Sequence, residues 1–322
     1  MNEYLLIAAG FVLLILGAET LVHGGVAVAR RLNVSPLLIG VTIVAYGTST
    51  PELLVSVQAS LHGSYGIAVG NVVGSNIFNI LLILGVTAII APIAVSARAI
   101  GRDGLFALIA AGLFIWVALR MPAMGFAEGV LYLSVLLAMA FVAYGQERLR
   151  EEPAEDESRH MRERSLDHSV VIDLGLILVG IGLLVVGADM LVDGAVIVAR
   201  QNGVSETVIG LTLIAAGTSL PELATSVVAA IRGNPDIALG NVVGSNIYNI
   251  LAILGVASLI GPVEIDPAIV RFDMWVMLAA TVALFPPLLF GSRIGRFYGL
   301  LLLLGYLAYL GFLLRAAGVV HF

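Results

Sequence analysis

The 322-residue chain contains no cysteine, so a disulfide framework, a thiolate metal site and a thiol nucleophile are all excluded. Lysine is absent as well, and all 16 basic residues are arginine. Charge of either sign is scarce: 12% of residues, where a soluble domain of this size carries about 25%. The net charge of -6 provides no basic patch for nucleic acid. The start, Met1-Asn2-Glu3-Tyr4, lacks a positive n-region, so the first apolar run is expected to be a mature helix rather than a cleaved signal. What the chain has in abundance is apolar surface, with 60% hydrophobic residues and a mean hydropathy of +1.05. Its solvent is expected to be a lipid bilayer.

A span needs about 20 mostly apolar residues. That rule predicts an all-α polytopic protein with ten transmembrane helices, near 4–29, 35–60, 66–92, 103–120, 124–145, 170–199, 205–231, 236–262, 270–291 and 296–316. The fifth and sixth are separated by the one strongly polar segment, 146–169, which mixes five arginines with acidic residues and reads as a solvated linker. A regulatory ion-binding role for it lacks the Asp-x-Asp-x-Asp-Gly pattern. Residues 1–145 and 170–322 thus form two five-helix units. With the N-terminus outside, Arg30, Arg31, Arg98, Arg102, the five linker arginines, Arg232, Arg293 and Arg296 all fall inside. Arg120, Arg200, Arg271 and Arg315 are left outside. The positive-inside bias predicts a multi-pass protein of the plasma (inner) membrane, with both termini outside and the linker cytoplasmic.

The two units repeat each other at an offset of 170. Between 35–86 and 205–256, 32 of 52 positions are identical without a gap, and Gly17-Ala18-Glu19 matches Gly187-Ala188-Asp189. Five helices separate equivalent points, an odd number, so the second copy is expected upside down relative to the first. Inverted repeats with interrupted helices and a midplane site are the signature of secondary transporters.

The interruption is legible. Gly47-Thr48-Ser49-Thr50-Pro51-Glu52 returns as Gly217-Thr218-Ser219-Leu220-Pro221-Glu222, each inside an apolar run. Proline has no N–H and crowds the preceding turn, so each motif breaks its helix (the second and seventh) and frees backbone oxygens beside a carboxylate. Such groups at membrane depth are tolerated only when buried in protein or lining a wet cavity, and an ionisable residue there marks function. A kink whose glutamate snorkels to the interface is the simpler alternative for one copy, but two copies argue against it. Thr48, Glu52 and Ser56 share a helical face, as do Thr218, Glu222 and Ser226. The next helix of each unit carries Asn71, Ser75 and Asn79, or Asn241, Ser245 and Asn249, as a polar stripe. Gly70 and Gly74 form a small-xxx-small pair for close helix approach. Interhelical hydrogen bonding accounts for Asn71, Asn76, Asn241 and Asn246. Ser75, Asn79, Ser245 and Asn249 are expected to face the carboxylates.

The assembled ligands are all oxygens, with no imidazole or thiolate, which favours hard cations. Two glutamates balance one divalent ion, and Ca²⁺ accepts the flexible geometry better than Mg²⁺. An empty site would leave two carboxylates uncompensated in low dielectric, so it is expected to cross loaded, with Ca²⁺ or with monovalent ions. Glu19 and Asp189, also within apolar helices, read as structural or gate-lining, and Asp103, Glu128, Asp236, Glu264, Asp266 and Asp273 as solvated span ends.

Gly-Thr-Ser-x-Pro-Glu followed by Gly-Asn-Val-Val-Gly-Ser-Asn-Ile-x-Asn, twice, resembles the α-repeats of the Ca²⁺:cation antiporter superfamily, in particular its prokaryotic sodium/calcium exchanger branch. The resemblance implies that Glu52 and Glu222 bind Ca²⁺ with the backbone oxygens of Thr48 and Thr218. It implies Na⁺ sites using the Ala45 and Ala215 carbonyls, Ser49, Ser219, Ser75 and Ser245, with Asn79 and Asn249 lining the inner part. Some relatives carry aspartate at the position of Asn249; asparagine here removes a third carboxylate. The expected function is Ca²⁺/Na⁺ antiport, with H⁺/Ca²⁺ or K⁺-dependent Na⁺/Ca²⁺ exchange as the alternatives. Ca²⁺ and Na⁺ would be cargo rather than cofactors, and no obligatory protein partner is evident. A channel fits broken, duplicated helices less well, and an enzyme lacks a His-Glu-x-x-His or Ser/His pair within the spans.

Overall fold

The computed structural model describes residues 2–32, 34–63, 65–94, 100–148, 169–203, 215–287 and 293–316. Most of the polar linker, Arg98 and the first part of the expected seventh span (205–214) lie outside the described residues. Helix α1 is Glu3–Leu32. It is followed by α2 (Pro36–Thr48) and α3 (Thr50–Leu61), which meet at a 46° bend. Ser35 caps α2 by accepting from the Leu38 amide, with Pro36 at the first helical position where no N–H is missed. Next come α4 (Gly66–Ile90), α5 (Gly101–Ala118) and α6 (Phe126–Gln146). The second half holds α7 (Val170–Gln201), a helical turn at Ala215–Gly217, α8 (Leu220–Ile231), α9 (Pro235–Ile260), α10 (Met274–Val282) and α11 (Arg296–Ala316). Gly63 and Gly233, at φ 73° and 76°, end α3 and α8 in the left-handed conformation that spares glycine a Cβ clash.

Among the described residues, seven helices are long and apolar enough to cross a membrane, eight if the bent α2–α3 pair is one span. This is fewer than ten, for two reasons. The expected seventh span is described only from Ala215 onward. The expected ninth, 270–291, is broken after Val282, where Leu284 and Phe285 turn back onto Thr281 and Val282. Pro286 disfavours the α conformation in the residue before it, helix resumes at Pro286 and Pro287, and 288–291 lie outside the described residues.

Among the described residues several elements of one half recur in the other. Strands β1 (Ile93–Ala94) and β2 (Ala123–Met124) recur 170 residues on as β3 (Val263–Glu264) and β4 (Arg293–Ile294). Each pairs antiparallel across the halves, β1 with β4 and β2 with β3. Stretches of wide π-helical turn recur likewise, at Phe78–Leu84 and Asn249–Ile253, and at Ile100–Gly104 and Ile269–Asp273.

Burial sorts the helices into centre and rim. In the most apolar 18-residue stretch of each helix, 72% of α4 and 78% of α9 is buried, against 22% of α6 and 11% of α11, which present Leu137, Phe141 and Phe297 outward. α1 and α7 lie antiparallel, joined by glycines at heptad spacing. A Cβ on Gly10, Gly17 or Gly24 would come within 2.6–2.9 Å of α7 backbone, and one on Gly180, Gly187 or Gly194 within 2.6–2.8 Å of α1 backbone. Without Cβ atoms the two backbones approach far enough for dispersion to hold them, the means available where both helices are equally at home in lipid. At one end of this pair Arg31 bonds the buried Asp173 at 2.8 Å. The close approach expected of Gly70 and Gly74 is not made, since a Cβ on either would meet nothing within 4 Å; it is their counterparts Gly240 and Gly244 that sit against the backbone of Leu37 and Val41.

Several acidic residues placed at span ends cap or pair, Asp266 doing so while exposed as expected. Asp103 is buried and bonds Arg102 at 2.6 and 3.0 Å, which corrects its reading as a solvated terminus. Glu128 accepts the Gly125 amide, Asp266 that of Ala268, and Asp273 the Tyr309 hydroxyl.

Candidate cation site

Each proline break delivers its glutamate to the molecule's centre. Ser49 and Ser219 sit at the bends with φ near -81° and -92° and ψ near 10° and 8°, so α3 and α8 restart with Pro and Glu in their first turns. Glu52 and Glu222 are fully buried. Each carboxylate is held by the serine of the opposite half: Ser219 donates to Glu52 Oε1 and Ser49 to Glu222 Oε1, both at 2.9 Å. The crossing is reciprocal at the 170 offset. Snorkelling to an interface is ruled out for both glutamates.

Asparagines brace the restarted helices. Asn71 donates to the Glu52 carbonyl (3.2 Å) and Ser56 Oγ (3.0 Å), and Asn241 does the same for Glu222 (3.2 Å) and Ser226 (3.0 Å). The expected interhelical role of these two residues is what the structure shows. Asn76 and Asn246 also bond between helices, each donating to the other's backbone carbonyl at 3.1 and 3.2 Å.

The remaining candidates divide as follows. Ser75 Oγ lies 3.4 Å from Ser219 Oγ, one step from the Glu52 carboxylate. Thr48 Oγ1 lies 3.0 Å from Asn241 Oδ1 and 3.3 Å from the Ala45 carbonyl, which also accepts the Ser49 amide at 3.0 Å. In the second half the Ser219 amide turns to Ala216 at 3.2 Å instead of Ala215. The Thr218 hydroxyl is buried without a hydrogen-bond partner. Asn79 and Asn249 sit on the wide turns at Phe78–Leu84 and Asn249–Ile253, a local geometry that often accompanies functional positions. No feature of the sequence announced those turns.

Ten buried side-chain oxygens among the described residues lack a partner, and six belong to this set: Glu52 Oε2, Glu222 Oε2, Asn79 Oδ1, Asn249 Oδ1, Thr218 Oγ1 and Ser245 Oγ. An unsatisfied buried polar atom costs about 1–3 kcal/mol, and a charged one more. Six together would consume the typical net stability of a fold, about 5–15 kcal/mol, unless a bound ion or ordered water satisfies them. All six can accept, two carry formal charge, and no imidazole or thiol is among them. This is the chemistry of a hard cation. Serine hydroxyls that donate to the carboxylates keep lone pairs for the same ion.

Glu19, placed as structural or gate-lining, forms an ion pair with Arg232 at the C-terminal end of α8. Asp189 and His23 are exposed. Thr225, fully buried with an unpartnered hydroxyl, was not foreseen: its counterpart is Val55, so the repeat gave no signal.

The sequence matches the sodium/calcium exchanger protein family over residues 2–145 and 172–315. It is 42% identical over 314 residues to the putative antiporter CaxA of Alkalimonas amylolytica, covering 94% of this chain and 96% of that protein. Its identity to the sodium/calcium exchanger MaX1 of Methanosarcina acetivorans is 34% over 340 residues, covering 96% and 97%. The fold is similar to that of the sodium-calcium exchanger NCX_Mj soaked with 2.5 mM Na⁺ and 1 mM Sr²⁺, with a TM-score of 0.81 at 34% identity, covering 96% of this chain and 97% of that one.

Proposed function

The chain belongs to the sodium/calcium exchanger family, and we propose that it is a secondary antiporter moving Ca²⁺ against Na⁺ by alternating access. The observation that carries this reading is the set of six buried, unpartnered oxygens contributed by both halves. Glu52 and Glu222 would supply two charges for one Ca²⁺. Asn79, Asn249 and the Thr48 and Thr218 backbones would supply neutral oxygens. Ser49, Ser219, Ser75, Ser245 and the Ala45 and Ala215 carbonyls would take Na⁺ on either side. Relatives named as antiporters and exchangers support transport rather than catalysis.

We read the halves as inverted five-helix repeats of a ten-span protein. The antiparallel α1–α7 pair and the crossed strand pairing support that topology, because equivalent elements of an inverted repeat run in opposite directions. Since each half contributes one carboxylate, movement of one against the other would open the ion to alternate sides. The arginine distribution supports a cytoplasmic linker with both termini outside. The Arg31–Asp173 pair fits it, joining the end of α1 to the start of α7 at the side where the linker enters.

The test is ⁴⁵Ca²⁺ uptake into proteoliposomes loaded with Na⁺ and diluted into Na⁺-free buffer at clamped pH. Uptake that vanishes when internal Na⁺ is replaced by choline is the expected result. Uptake indifferent to Na⁺ but driven by a pH gradient would overturn Na⁺ coupling in favour of H⁺/Ca²⁺ exchange, with Glu52 and Glu222 as proton carriers. A requirement for K⁺ on the Na⁺ side would identify the K⁺-dependent alternative.

A further inference from the structure

Four asparagines, Asn76, Asn79, Asn246 and Asn249, form a connected set where α4 meets α9, with Asn76 Nδ2 also reaching Met277 Sδ at 3.8 Å. Asn246 Nδ2 donates to the backbone carbonyl of Asn76, and Asn76 Nδ2 to that of Asn246, at 3.2 and 3.1 Å. A backbone carbonyl can only accept, so each of these amides must present its NH₂ there. Its Oδ1 is then the arm left to face the next residue. Asn246 Oδ1 receives Asn79 Nδ2, and Asn76 Oδ1 receives Asn249 Nδ2, both at 3.0 Å. An amide meeting an acceptor must offer its nitrogen. The same logic therefore forces the Oδ1 atoms of Asn79 and Asn249 to the opposite side, where both are buried without a partner.

We propose that Asn76 and Asn246 are positioning residues for the cation site: they set the amide polarity of Asn249 and Asn79, so that oxygen rather than NH₂ faces the ion. The inference rests on the reading above that Asn79 and Asn249 line that site. A free side-chain amide can present either end, and the wrong end would point two N–H dipoles at a cation. Orientation is fixed here by two backbone carbonyls, groups that cannot reverse their polarity. The relay is double and reciprocal, each half orienting the ligand of the other. It also explains why these residues lie one turn from the site. Their contact is with a ligand's nitrogen.

The two roles open to Asn246, brace or positioner, are separated by a double-mutant cycle read as Ca²⁺ affinity on the purified full-length protein, by calorimetry. Asn79→Leu and Asn246→Leu, nearly isosteric changes, should each weaken Ca²⁺ binding about tenfold, the scale of one hydrogen-bonding contact to a charge. The double variant should bind no more weakly than Asn79→Leu, because Asn246 acts only through Asn79. Binding by Asn246→Leu within twofold of the parent, or a double variant whose losses multiply to about a hundredfold, would overturn the positioning role. Unchanged affinity in Asn79→Leu would instead remove Asn79 from the site and with it the reading beneath this one. If Asn246→Leu does not fold, Asn246→Ser, too short to reach Asn79, takes its place with the same expectations. Asn249 and Asn76 provide the mirrored cycle.

Discussion

The two halves share nearly the same motif residues and yet are packed differently. In the second half α1 lies along α8, burying Thr225, Ser226, Ala229 and Ala230, and Glu19 fastens it to Arg232. In the first half the equivalent helix, α7, barely touches α3, whose Leu54 and Val55 are 51% and 38% exposed. The equivalents of the ion pair are Asp189, which is exposed, and His62, whose ring donates to the Gln58 carbonyl at 2.7 Å. The site shows the same difference on a smaller scale: the Thr48 hydroxyl lies 3.0 Å from Asn241 of the other half, whereas that of Thr218 has no partner. Near-identical sequences in unlike surroundings fit the proposed alternating access, under which each half would in turn adopt the packing that the other now has.

The largest expected effect tests where the halves are equal. Glu52→Gln and Glu222→Gln should each abolish Ca²⁺ uptake, by more than about a hundredfold, since either removes one of the two charges balancing a divalent ion. Uptake near the parent rate in either variant would break the equivalence and the shared site with it. Next come the glycines of the α1–α7 contact. Gly17→Ala and Gly187→Ala each set a Cβ 2.8 Å from a backbone nitrogen of the partner helix. Each should destabilise by about 1–3 kcal/mol, read as a lowered melting temperature in detergent. Unequal shifts would mean that the contact is less symmetric than its geometry.

Smaller effects should expose the asymmetry. Arg232→Ala and Glu19→Gln remove an ion pair that is largely solvent-exposed and worth at most about 1 kcal/mol, so turnover should change by up to about fivefold. The counterparts His62→Ala and Asp189→Asn should stay within about twofold, and exchanging the charges at 19 and 232 should restore the parent rate. Equal responses in both pairs would show that the latch does not distinguish the halves. Smallest of all, Thr225→Val places the first half's residue in the second. Losing an unpaired buried hydroxyl should leave Ca²⁺ affinity unchanged and raise stability by up to about 1 kcal/mol. Weakened Ca²⁺ binding would instead enrol Thr225 in the site.

Much of this was legible before any fold was known, because the signals are local. Glu52 and Glu222 stand out because a carboxylate after a proline within an apolar run has no cheap structural explanation, and both prove fully buried. Asn71 and Asn241 read correctly as braces because helical spacing places them opposite Ser56 and Ser226. Asp103 misread because a charge near a span end resembles a solvated terminus until its neighbour Arg102 folds over it. The early end of α10 was hidden by continued apolarity, since hydropathy registers a proline pair only weakly while backbone geometry registers it at once.

The sequence by itself determined the solvent, the duplication and the ligand chemistry. Hydropathy sets the medium, the 170 offset sets the repeat, and the motif side chains limit the site to oxygen ligands. Tertiary structure alone decided that each serine serves the other half's glutamate, that the asparagine amides are turned oxygen-outward, and that α1 closes on the other half's α8 while α7 leaves α3 open. The first two are pairings between residues some 170 positions apart, which no helical period encodes. The last could not be read from the repeat, because two copies identical at 32 of 52 positions favour the same local structure. Only the packing of the whole molecule can make them differ.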